Sequence, residues 1–230
     1  MSSVVNETNR LQINGDTLTP ISIFHRLQGD RKFLLESSLK HEESGRYSFI
    51  GSNPMKEFQG FEKELLETDL RTNEIKRHIG RPLDLLKELL PFTEVDQDFP
   101  FTGGAVGYFG YDVIAQYESI GKQLLDDRDM PDIHLLVYET IIVYDHLKQD
   151  VTIIHRGTDH SGLTNIQAQL EIKEKDSDDT LTAVTFTSNV TQEHYVDQVK
   201  KAKEHIRAGE VFQIVLSQRL EAPFSENPFT

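Results

Sequence analysis

The chain contains no cysteine and no tryptophan, and only three methionines among its 230 residues. Without cysteine there are no disulfides, no thiolate nucleophile and no Cys-ligated zinc. Positive charge is also scarce: 24 Lys and Arg stand against 38 Asp and Glu, a formal net charge of −14. The acid is spread along the chain rather than collected in a tail. Such a surface repels phosphate backbones, so nucleic acid is not an expected partner. No run of 18 apolar residues is present and Met1–Gln12 lacks an apolar signal core, so no membrane is expected either. A soluble, cytoplasmic protein is the expectation.

What is there suffices for a packed core: 37% of residues are hydrophobic and 27% charged. The nine histidines are scattered and form no HExxH pattern. The nearest pair on one predicted helix, His194 and His205, would lie about 16 Å apart at 1.5 Å per residue, too far to share a metal ion. Solvated or locally bonded histidines are the expectation.

Thr19-Pro20 ahead of Ile21, Phe24 and Leu27 predicts a helix with a capping hydroxyl and proline in its first turn. Phe33-Leu34-Leu35-Glu36-Ser37 predicts a short buried strand ending in polar residues. Tyr47-Ser48-Phe49-Ile50 is its expected antiparallel partner. A compact amphipathic helix is predicted from Pro82 to Leu90. Ile133 to Tyr144 predicts one long strand turning through Asp145–Asp150 into Val151–Ile154. Ser161 to Lys175 predicts a helix, and the polar stretch Lys173–Thr182 an exposed connection.

The pattern then changes. Thr191 is placed to cap a helix with Tyr195, Val199, Ala202 and Ile206 on one face and Gly209 as its stop. Val211 to Leu220 alternates, with Phe212, Ile214, Leu216 and Leu220 on one side of an expected strand and Gln213, Ser217 and Arg219 on the other. The reading is two domains, 1–182 and 183–230. One helix and one strand cannot bury their own apolar faces, so the second domain is expected to be incomplete and the natural protein to continue.

Three segments could carry chemistry. Gly103-Gly104-Ala105-Val106-Gly107-Tyr108-Phe109-Gly110-Tyr111-Asp112 has the wrong spacing for a dinucleotide fingerprint and no Lys-Ser/Thr for a P-loop. A strand closely approached by another backbone, or a bulge, is the plainer reading. Glu36 and Ser37 set a carboxylate and a hydroxyl at a strand end, where they either hold an amino acid or run out into a polar turn. Gln213, Ser217 and Arg219 either face solvent or line a site.

In this order, Leu34-Leu35-Glu36-Ser37, the glycine-rich run, and Ile206-Arg207-Ala208-Gly209-Glu210-Val211-Phe212-Gln213-Ile214-Val215-Leu216-Ser217-Gln218-Arg219 resemble the anthranilate synthase component I family along the whole chain. The resemblance implies an α+β protein of large, mostly antiparallel sheets with peripheral helices, whose catalytic domain is truncated here. It implies a lyase that converts chorismate and ammonia to anthranilate and pyruvate with Mg²⁺. The Mg²⁺ ligands are expected outside these residues, so the 230-residue chain alone is expected to be inactive. A glutamine amidotransferase subunit (component II) is the implied source of ammonia, and tryptophan the implied feedback inhibitor. The resemblance places Ser37 and Glu36 in the tryptophan pocket, with Arg46 and Ser48 as nearby candidates. Isochorismate synthases, which are similar, carry a lysine base where this chain has Gln213. A neutral amide cannot take a proton from water but can hydrogen-bond ammonia, so Gln213 becomes the candidate for steering the nucleophile. Component I of aminodeoxychorismate synthase and a stand-alone amino-acid-binding module are the alternatives.

Overall fold

The structure is a computed structural model that describes residues 8–36, 45–90, 96–121, 126–157, 160–172 and 183–225. The chain divides into two compact units, residues 1–174 and 175–230. The expected connection at Lys173–Thr182 lies outside the described residues.

The first unit is built on two five-stranded sheets in which every pairing is antiparallel. One sheet orders β1 (Thr8–Asn14), β10 (Asp150–Arg156), β9 (Thr140–Asp145), β3 (Tyr47–Gly51) and β2 (Phe33–Leu35). The other orders β6 (Glu74–Ile79), β5 (Glu64–Asp69), β4 (Lys56–Phe61), β8 (Ile133–Tyr138) and β7 (Gly104–Phe109). Helices α1 (Pro20–Arg26), α2 (Pro82–Leu89) and α3 (Ser161–Glu171) lie outside them. Mostly antiparallel sheets with peripheral helices is the expected fold class.

Period-two alternation sorts the strand residues into three apolar layers. Ile50, Ile142, Val151 and Ile153 pack one face of the first sheet against Ile23 of α1 and Leu163 and Leu170 of α3. Ile141, Val143 and Ile154 on its other face meet Leu136 and Tyr138 of the second sheet, with Phe33, Phe49 and Phe101 filling the gap. Phe58, Leu65, Ile133, Leu135 and Val137 pack the far face of the second sheet against Leu86 of α2. The predicted start of α1 forms a full capping box: the Thr19 hydroxyl accepts from the Ser22 N–H at 3.1 Å and the Ser22 hydroxyl accepts from the Thr19 N–H at 2.9 Å.

Two expectations need correction. The long strand predicted from Ile133 to Tyr144 is two strands, β8 and β9, which belong to different sheets and break at Glu139. An apolar run buried on both faces carries no mark of where it changes sheets. In the second unit, α4 (Gln192–Arg207) is capped by the Thr191 hydroxyl and is followed by Gly209 at φ +77°, as its sequence predicts. The strand expected over Val211–Leu220 is present only at β12 (Leu220–Glu221), which pairs with β11 (Thr187–Ser188). Alternation alone does not make a strand; it needs hydrogen-bonded neighbours, and two residues of β11 are all that the described part of this unit provides.

Candidate functional site

The glycine-rich run is the close-approach strand that its spacing suggested. It forms β7 against β8, and a Cβ on Gly107 would sit 1.9 Å from the His134 carbonyl oxygen. Only a hydrogen fits there.

β2 and β3 bring the candidate binding residues together. Leu35 lies opposite Phe49, so the antiparallel register carries Glu36 to the level of Ser48. Glu36 is exposed, and Ser37 lies outside the described residues. Ser48 is fully buried, with its hydroxyl 2.7 Å from Nε2 of His146. The His146 ring packs edge-on against Tyr144, the residue opposite Ser48 on β9. Arg46, just before β3, forks onto Asp145 at the end of β9. Its Nη2 donates to Oδ2 at 2.6 Å and its Nε lies 3.1 Å from both carboxylate oxygens.

The Arg46–Asp145 pair is reinforced from the backbone. Asp145 Oδ1 also accepts from the N–H groups of Leu147 (3.0 Å) and Lys148 (3.2 Å), which shapes the β9–β10 turn. Burial alone would raise the Asp145 carboxyl. The hydrogen bond from Arg46, the two backbone N–H groups and the arginine's charge outweigh burial and hold it below the usual carboxylate range. Tyr144 is shifted up, first by burial and then by the charge of Asp16.

Arg46 and Ser48 thus carry bonds within the chain, while Glu36 stands open beside them. Their partners, Asp145 and His146, are residues that the sequence reading did not single out. The pairing of β3 with β9, 90 residues and more away in the chain, creates those contacts, and no local pattern announces it. Gln213 belongs to the second unit, where it is exposed and outside any strand.

The implied Mg²⁺ has no fitting site here: among the described residues no group of three or more His, Asp or Glu is placed to hold a metal ion. Among the same residues no helix is long and apolar enough to cross a membrane.

The sequence signature of chorismate binding enzymes matches residues 30–230. The chain belongs to that family. It is 34% identical over 95% of its length to anthranilate synthase component 1 of Lactococcus lactis subsp. lactis, covering 50% of that protein. It is 33% identical to the Acetivibrio thermocellus component 1, covering 95% of this chain and 49% of that one. It also resembles the crystal structure of anthranilate synthase component I from Streptococcus pneumoniae, with a TM-score of 0.65 and 32% identity over 94% of this chain and 50% of that chain. The resemblance seen in the motifs is therefore upheld by sequence and by fold. This chorismate binding family member spans about half the length of the curated relatives it matches.

Proposed function

We propose that the chain is part of an anthranilate synthase large subunit, a lyase of tryptophan biosynthesis. The whole protein would convert chorismate and ammonia to anthranilate and pyruvate, with ammonia delivered by a glutamine amidotransferase subunit. The observation that carries this reading is similarity to anthranilate synthase component 1 over 95% of the chain. It is supported by the Leu34–Ser37 motif, which resembles that branch of the family. Mg²⁺ belongs to the whole protein in this reading; the described residues do not fit the ion, and none of the roles below runs through it.

Glu36 and Ser37 are read as one wall of the inhibitory tryptophan pocket. A carboxylate there suits the ligand ammonium and a hydroxyl suits either end of the amino acid. Arg46 and Ser48 stand beside that wall, and their bonds to Asp145 and His146 fix the strand end behind it. Gln213 is read as the group that orients ammonia. Its amide offers both a donor and an acceptor and does not remove a proton from water. With half of the relatives' length present, the 230 residues by themselves are expected not to turn over chorismate.

Genetic complementation tests this reading. The whole protein, expressed with a glutamine amidotransferase subunit in a cytoplasm lacking anthranilate synthase, should restore growth without tryptophan. Failure there, together with rescue of a strain lacking aminodeoxychorismate synthase, would assign the chain to the other branch.

A further inference from the structure

A cleft of about 810 Å³ in the first unit lies at the Thr140 end of β9, away from Asp145. Five residues of extended strand, about 17 Å, separate the two ends. Its walls include Asp30, Arg31, Ser52, Glu139, His155 and Gly162. Two of these polar side chains are nearly buried and keep a polar atom that no other described residue engages. His155 is 7% exposed; its Nδ1 meets the Thr140 hydroxyl at 2.8 Å, and its Nε2 has no hydrogen-bond partner among the described residues. Ser52 is 8% exposed, and its hydroxyl likewise has no partner among them. Both residues are nearly buried, and their unpartnered polar atoms are left to the cleft, where a polar ligand can reach them.

The backbone keeps the imidazole edge clear. A Cβ on Gly157 would lie 3.1 Å from His155 Nε2, and one on Gly162 would lie 3.0 Å from Nδ1. Gly162 is also in the first turn of α3, so the positive end of that helix faces the same space. The opposite wall is held in place by Asn53, whose Oδ1 accepts from the Asp30 N–H at 3.1 Å.

Charge selects the class of ligand. The lining has two arginines, Arg31 and Arg71, and two carboxylates, Asp30 and Glu139. Arg71 is paired with Glu139, whereas Arg31 makes only a 3.6 Å approach to Glu57 and the Asp30 carboxylate has no partner among the described residues. A bare anion would meet as much negative as positive charge. A small molecule with both signs fits both free ends.

We propose that this cleft binds a free α-amino acid, its carboxylate taken by His155, Ser52 and Arg31 and its ammonium by Asp30. The proposal does not depend on the tryptophan wall at Glu36 and Ser37. Calorimetric titration of the 230-residue chain with each of the twenty L-amino acids, alongside N-acetyl and carboxamide forms of any that bind, tests it. At least one free amino acid should bind saturably in the millimolar range or below, and both blocked forms should fail. Ser52→Ala and Arg31→Gln should each weaken binding about tenfold, the loss of one hydrogen bond to a charged group. Arg31 is 43% exposed, so its variant keeps the test alive if Ser52→Ala unfolds the chain. No binding at 10 mM, binding that survives both substitutions, or binding retained by the N-acetyl form would overturn the proposal.

Discussion

Arg46 and Asp145 are 99 residues apart in sequence, yet they join the start of β3 to the end of β9 through a forked contact with a closest approach of 2.6 Å. That contact closes one end of the first sheet, next to Glu36. Its energetic signature is pH dependence. Asp145 is held below its ordinary range in the folded chain. Its stabilising contribution is therefore present above the unfolded carboxyl value of about 3.9, and is lost as pH falls through the lower folded value. Arg46→Gln should lower Tm at neutral pH, and the gap from the unmodified chain should shrink toward zero as pH drops below 4. Thermal melts across that range check this. A gap independent of pH would mean that the pair adds nothing through the Asp145 charge.

Gly107 makes a different kind of demand. A methyl group there would sit 1.9 Å from the His134 carbonyl oxygen, a backbone atom that cannot swing aside. Gly107→Ala should force β7 from β8 and cost about 3 kcal/mol, at the upper end for overpacking. Urea unfolding reads the difference directly. A loss below about 0.5 kcal/mol would show that the edge strand yields without strain.

Glu36 is exposed and has no bond among the described residues, so removing its charge should leave the fold intact. In the whole protein, Glu36→Gln and Ser37→Ala should each raise the tryptophan concentration needed for half inhibition by about tenfold or more, the value of a hydrogen bond to a charged group. Uninhibited activity should not change. Inhibition curves that overlay the unmodified enzyme would remove both residues from the inhibitor pocket.

Gln213 should matter to chemistry and not to stability, since it is exposed and outside any helix or strand. Gln213→Ala in the whole protein should lower kcat with ammonium about a hundredfold, the cost of a lost positioning contact, with Tm unchanged. Steady-state kinetics decide it. Unaltered turnover would reduce Gln213 to a solvated residue.

The fold was legible where the signal is local. Thr19-Pro20 announced α1, Thr191 and Gly209 bracketed α4, and Leu34–Leu35 with Tyr47–Ile50 gave a correct antiparallel pair. Hairpin β4–β5 and strand β6 passed unread, because Lys56–Ile79 mixes charged and apolar residues without an even alternation. The break at Glu139 was hidden because both flanking runs are apolar and buried. Candidate binding residues were visible as polar groups at a strand end. What Arg46 and Ser48 hold was not, since Asp145 and His146 arrive through the pairing of β3 with β9. The polar cleft around His155 was equally silent, being assembled from six separate stretches between residues 30 and 169.

One product analysis tests the central claim. The whole protein, incubated with chorismate, ¹⁵N-ammonium and Mg²⁺, should release anthranilate carrying ¹⁵N on its ring amine, with one pyruvate per anthranilate. Tryptophan should suppress both together. Accumulation of aminodeoxychorismate or isochorismate without pyruvate would contradict the assignment.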